Sequence, residues 1–168
     1  MGFLSGPRQA VLITSRAKVK ILGKEVEKDD VMTASWHMPV SFEPPLYAVS
    51  VGKARFSHML ISSGKCFVVN FAPVGMKEAA VLCGRKSGEH TDKFADAMLG
   101  RENAKSVECP RVKGAEGYIE CEVINEVEAG DHTIFIGKVL NWEMPKKSRK
   151  LLFHAGESSF TTTQGKEV

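Results

Sequence analysis

The chain has few cysteines, and the four it carries (Cys66, Cys83, Cys109, Cys121) include no C-x-x-C pair. That spacing suggests neither a zinc site nor a dithiol redox motif, and reduced structural thiols are expected. There is no G-x-G-x-x-G and no G-x-x-x-x-G-K, so neither a Rossmann site nor a P-loop is on offer. No apolar run approaches the roughly 20 residues that cross a bilayer, and Met1 to Arg8 lacks the charged-then-apolar pattern of a secretion signal. A cytoplasmic location without membrane contact is the resulting expectation. Internal repeats and low-complexity segments are also missing. Neither a catalytic triad nor paired carboxylates can be picked out.

What remains is the composition of a packed protein. Hydrophobic residues make up 43% and charged residues 26% of 168, which fits one domain over residues 1–168 with a polar tail at about 161–168. The net charge of +3 comes from 23 basic and 20 acidic side chains. One dense basic cluster, Lys146-Lys147-Ser148-Arg149-Lys150, lacks interleaved aromatics and reads as a solvated loop between strands, so no nucleic-acid partner is expected.

Along the chain, Ala10 to Ser15 reads as a buried strand, and Val19, Ile21 and Val26 read as a hairpin around Gly23. Asp29 and Asp30 follow, and nothing in this opening third demands a chemical role. Residues 37–45 contain three prolines and should be irregular. Leu46 to Val51 is apolar on both faces and reads as a central strand. A short helix over Ala54 to Ser63 is expected, with Gly64 as its left-handed cap. Cys66 to Phe71 is the next strand, with Asn70 as a polar intruder. A second helix over Met76 to Cys83 should close at Gly84, and Thr91 or Asp92 should cap a third. From Tyr118 the alternation of Ile119, Cys121 and Val123 with Glu120 and Glu122 describes a strand half buried and half wet. A turn at Gly130-Asp131 leads to a long strand from Thr133 to Leu140, and Leu151 to His154 is a last short one. Many strands with short inserted helices point to a mainly β fold, a Greek-key or up-and-down antiparallel barrel.

The stretch from Val31 to His58 sets small polar residues, a Trp, a proline-marked turn, an apolar strand and a basic helix start side by side. Such parts can hold a flat aromatic ligand with a phosphate, because short side chains let a ligand approach the backbone and a basic helix start attracts an anion. In order, VMTASW, SFEPPLYAVSV with R-x-S-H, G-x-C-F-V-V-N, S-G-x-x-x-D-K-F, I-E-C-E-V and G-D-H-T-I-F-I-G-x-V resemble the flavin reductase-like family of FMN-binding split-barrel proteins, which includes flavoredoxins and NAD(P)H:flavin reductases. The resemblance spans about Val11 to His154.

That resemblance implies an FMN-binding split β-barrel, a homodimer with FMN near the interface, and NADH or NADPH as co-substrate. Carried over by position, ring contacts fall on Met32, Thr33, Ala34, Ser35 and Trp36, with Ser50 and Val51 beside them. Phosphate contacts fall on Arg55, Ser57 and His58, helped by Ser87, Gly88 and Lys93, and Asn70 joins the cofactor set. His132 and His154 resemble positions near the reactive edge of the ring, while a structural role is the commoner fate of such histidines. No metal site is implied. The implied activity is transfer of electrons from NAD(P)H through bound FMN to free flavin, ferric iron or a redox protein. A flavoredoxin-type electron carrier is the alternative, and a module without flavin a weaker third.

Overall fold

The computed structural model describes residues 7–145, 150–156 and 159–162. The chain opens with β1 (Arg8–Gln9) and a long hairpin, β2 (Val11–Ile21) and β3 (Lys24–Ala34). A second hairpin, β4 (His37–Ser41) and β5 (Leu46–Gly52), leads into α1 (Phe56–Gly64) and β6 (Cys66–Phe71). Next come a 3-10 turn at Val74–Met76, α2 (Lys77–Arg85), α3 (Lys93–Asp96) and two short strands, β7 (Arg101–Glu102) and β8 (Arg111–Val112). The long hairpin of β9 (Tyr118–Ala129) and β10 (His132–Glu143) precedes a last one, β11 (Leu152–Gly156) and β12 (Ser159–Thr162).

Seven strands form one antiparallel sheet in the order β3-β2-β6-β9-β10-β5-β4. Its two outermost strands, β3 and β4, are consecutive in the chain and joined only by Ser35 and Trp36. The sheet therefore curls until its ends meet at that junction, where Ser50 N–H donates to the Trp36 carbonyl at 2.9 Å. The result is the expected split barrel. A smaller sheet, β1-β11-β12, lies beside it.

β2 shows why its opening run is apolar without a break. Val11 and Ile13 point into the barrel with Val49, Val51, Phe67 and Phe135, whereas Leu12 packs outward with Val31, Ala80, Cys83 and Phe94 under α2 and α3. Each fully buried large side chain contributes about 1.5–3 kcal/mol. The two helices are thus held on the outer face of β2 and β3, and this placement builds the cleft described below.

Several expectations are corrected. His37–Ser41 is a strand despite Pro39, because it is an edge strand whose outer side needs no ladder donor. β5 is next to that edge rather than central. The left-handed cap of α1 is Lys65 (φ 53°), not Gly64; Gly64 is the last helical residue, and it is glycine because a Cβ there would overlap the Arg16 carbonyl oxygen. Gly84 likewise falls inside α2. Glu120 is fully buried rather than wet, paired with Arg111. Ser159–Thr162, whose last two residues open the expected tail, pairs with β11. Cys66 and Cys109 form a disulfide across a sequence separation of 43, against the expectation of four reduced thiols. Cys83 and Cys121 are free and buried. The basic cluster at 146–149 lies outside the described residues.

Candidate functional site

Where the sheet closes on itself, a cleft opens between the end of β3, the segment before α1, and the C-terminal end of α2. An inner cavity of about 110 Å³ is lined by Met32, Arg55, Ser57, Cys83, Ser87, Gly88 and Lys93, among others. An outer cavity of about 240 Å³ adds Ser35, Ala80, Val81, His154 and Phe160. Thr33, Arg55, Gly84 and Arg85 line both, so the two form one continuous groove. Together they reach the low end of the range for small-molecule sites, about 300–1,000 Å³. Beyond Ser35 lies a third, mainly apolar hollow of about 420 Å³ against Trp36, Met38, Ser50 and Ile134. Ser35 therefore stands between a polar groove and an apolar wall.

The inner end is cationic. Arg55, at the start of α1, is exposed and donates from Nη1 to the Gly84 carbonyl at 2.9 Å, which aims its guanidinium across the groove. Lys93 has a side chain only 2% exposed, with Nζ 3.0 Å from Asp30 Oδ1. Among the described residues no second acceptor engages that ammonium, so donors remain available beside the cavity. Ser57 is buried and its hydroxyl donates to Asp30 Oδ2. Gly88 lies against the same carboxylate, because a Cβ built on it would overlap Asp30 Oδ1. Lys28 Nζ holds the Gly88 carbonyl at 3.0 Å. Asp30, which the sequence offered no reason to single out, is thus the buried anchor of this floor.

The sequence-nominated residues fall into separate groups. Met32, Thr33, Ser35, Arg55, Ser57, Ser87, Gly88 and Lys93 line the groove, and Trp36 and Ser50 face the apolar hollow. Ala34 and Val51 belong to the barrel interior, so their side chains do not reach the cavities. His58 is corrected: it lies across α1, its Nε2 2.8 Å from Thr133 Oγ1 and its ring edge-on to Phe135. Burial draws its pKa down, against the pull of Glu126. A neutral ring facing β10 does not serve a phosphate. Asn70 is corrected too, because its fully buried amide is already committed. It donates to Leu12 O, Thr14 Oγ1 and Val68 O and accepts from Val112 N–H, tying β2, β6 and β8 together.

The two candidate histidines separate: His154 reaches the groove, whereas His132 stands against Trp36. His132 bonds through Nδ1 to Asp131 Oδ1 at 2.7 Å, and its ring centroid is 5.0 Å from that of Trp36. His154 lines the outer cavity and meets Phe160 edge-on at 5.4 Å. Sequence reasoning missed Phe160, which lies just before the expected tail. Cys83 lines the inner cavity, but burial, opposed by Lys93, pushes its thiol up to about 11. It stays protonated at neutral pH and is no nucleophile. Among the described residues no His, Cys, Asp and Glu group could hold a metal ion.

Known proteins resemble this chain in sequence and in fold. An uncharacterized protein of Archaeoglobus fulgidus is 34% identical over 150 residues, covering 84% of this chain and 85% of its own. An NADH-dependent FAD reductase of Streptomyces globisporus is 32% identical over 132 residues, covering 74% and 68%. Among solved structures, the flavoredoxin of Desulfovibrio vulgaris (Miyazaki F) superposes with a TM-score of 0.85 at 22% identity, covering 100% of this chain and 93% of that one. The model of the flavin reductase like domain matches residues 4–162, and the chain belongs to that family.

Proposed function

We propose that this protein is an FMN-binding oxidoreductase that passes electrons from NADH or NADPH through the bound flavin to a second acceptor: free flavin, ferric iron or a redox protein. The observation that carries this reading is the graded groove, from a small cationic end, past Thr33 and Ser35, to an apolar wall at Trp36. A flavin mononucleotide has the same gradation, from phosphate through ribityl chain to aromatic ring. The buried ammonium of Lys93, with donors to spare beside the inner cavity, fits a terminal phosphate, which draws charge-assisted hydrogen bonds worth about 1.5–3 kcal/mol each.

In this reading Arg55, Lys93, Ser87 and Gly88 hold the phosphate. Met32, Thr33 and Ser35 follow the ribityl chain, with Trp36 and Ser50 beside the ring; Ala34 and Val51 act through the backbone. The bound flavin supplies the redox chemistry, taking up hydride and passing electrons on, so the chain needs neither nucleophile nor general base. Asp131 accepts from His132 Nδ1, which leaves Nε2 as the acceptor nitrogen of the ring, and His154 with Phe160 borders the outer end. The same reading has the protein as a cytoplasmic homodimer. Trp36, Met38, Val40 and Trp142 are exposed, and the apolar hollow beside Ser35 suits closure by a second copy. Among the described residues no helix is long and apolar enough to cross a membrane.

The test is spectroscopic. Purified protein loaded with FMN is mixed anaerobically with NADH and, separately, with NADPH while the oxidised flavin band is followed. Bleaching on the timescale of turnover is expected with at least one of them. The flavoredoxin superposition supports the second reading, a carrier that takes electrons from a reduced redox protein only. Failure of both nucleotides alongside rapid bleaching by a reduced ferredoxin would establish that carrier instead.

A further inference from the structure

Resting on the proposal that the inner cavity receives a phosphate, we infer that Asp30 is the positioning residue of that cavity, holding Lys93, Ser57 and the Gly88 loop in the places from which they meet the anion. Three elements distant in sequence converge on this one carboxylate. Ser57 comes from α1, Gly88 from the loop after α2, and Lys93 from α3. All three line the inner cavity, and Asp30 does not. The carboxylate is 1% exposed and is screened from an incoming anion by the groups that it holds.

The chemistry explains why a carboxylate can stand beneath an anion site. A buried ammonium without a counter-charge is costly, so Lys93 needs an anionic neighbour to remain charged in place. One carboxylate oxygen serves Lys93 and the other serves Ser57, which leaves further ammonium donors for a ligand. Gly88 is required because any side chain there would push the loop off Asp30. Arg55 is held separately from this anchor, its guanidinium being fixed to the Gly84 carbonyl.

The test compares the dissociation constants of FMN and riboflavin, which differ by the phosphate alone, in the full-length protein and in Asp30→Asn. The ratio of FMN to riboflavin affinity is expected to fall at least about tenfold in the variant, the loss of one charge-assisted hydrogen bond, while riboflavin binding holds within about twofold. Lys93→Met should show the same selective loss, and the double variant no more than Lys93→Met alone, because one residue acts through the other. Equal weakening of both flavins in Asp30→Asn, or additive losses in the double variant, overturns the proposal. Should Asp30→Asn fail to fold, Gly88→Ala carries the test: a lowered ratio supports it and an unchanged one sinks it. Inorganic phosphate separates this proposal from the flavin reading. If the wild type is thermally stabilised by phosphate and binds neither flavin, the flavin reading falls, and loss of that stabilisation in Asp30→Asn upholds the anchor. If the wild type binds both flavins and the ratio is the same in Asp30→Asn, the anchor falls and the flavin reading stands.

Discussion

Two buried carboxylates hold this molecule together, and they do different things. Asp30 lies under the groove with Lys93, their side chains 1% and 2% exposed. Glu120 lies elsewhere, under the 103–110 loop, with Arg111, at 0% and 3%. Burial does not distinguish them. Glu120 accepts from Lys105 N–H at 3.0 Å, Ser106 N–H at 2.7 Å and Arg111 Nε at 2.6 Å, and Arg111 is stacked on Tyr118. That carboxylate closes a loop, the same loop that Cys109 fastens to β6. Asp30 instead holds an ammonium with donors left over beside a cavity. A buried ion pair is weak evidence for a site by itself; the difference is that Lys93 lines the inner cavity, whereas neither Glu120 nor Arg111 lines the groove.

The sharpest way to break the comparison is Arg111→Met. It strands a buried carboxylate, and urea denaturation should show a loss of about 3–5 kcal/mol. The ratio of FMN to riboflavin affinity should not move; if it falls as expected for Asp30→Asn, the two pairs are not separate devices. Next in size is Cys109→Ser, expected to cost about 2–4 kcal/mol under non-reducing conditions. Dithiothreitol should then lower the melting temperature of the wild type and leave that of the variant alone. On the other side, Arg55→Ala should weaken FMN by roughly tenfold to a hundredfold, measured by fluorescence titration. Its folding stability should stay within about 0.5 kcal/mol, since the side chain is exposed, and Lys147→Ala should leave FMN affinity untouched.

The smallest effect is a pH dependence. Burial pushes the Glu120 carboxyl up, but the Lys105, Arg111 and Ser106 donors outweigh it and hold the pKa below its ordinary value of 4.5. The unfolded chain then takes up the proton first as the medium is acidified. The stabilisation is fully present above 4.5 and drains away as pH falls through the lower, folded value. Melting curves of Glu120→Gln should show a flatter acid limb than those of the wild type, and a parallel limb would remove Glu120 from the account.

Much of the barrel could be read from the letters, because β-strands advertise themselves through local pattern. The runs at Val11, Leu46, Cys66 and Thr133 alternate or stay apolar as strands with one or two covered faces must. The groove was legible where short polar residues and a basic helix start adjoin, as at Thr33, Ser35 and Arg55. What stayed hidden depends on contacts far apart in sequence. Asp30 follows Asp29 and looks like a wet hairpin until α1, α3 and the Gly88 loop are folded over it. Glu120 obeys the alternation of its strand, and only Arg111 arriving from β8 makes its burial tolerable. Cys66 and Cys109 carry no spacing signal. His58 follows Ser57 directly, yet one residue along a helix turns a side chain by about 100°, enough to aim it at Thr133 instead of the cavity.

The crossing from β3 to β4 has a consequence for how the fold can be cut. No ladder joins β3 to β4 among the described residues, so the covalent link through Ser35 and Trp36, with the shared core, keeps the two margins of the seven-stranded ribbon neighbours. A circular permutant with new termini at that bond would keep every ladder pairing but set two long margins free. Such margins recruit other chains, and the permutant should form assemblies larger than those of the parent, whose ribbon is tied into a ring.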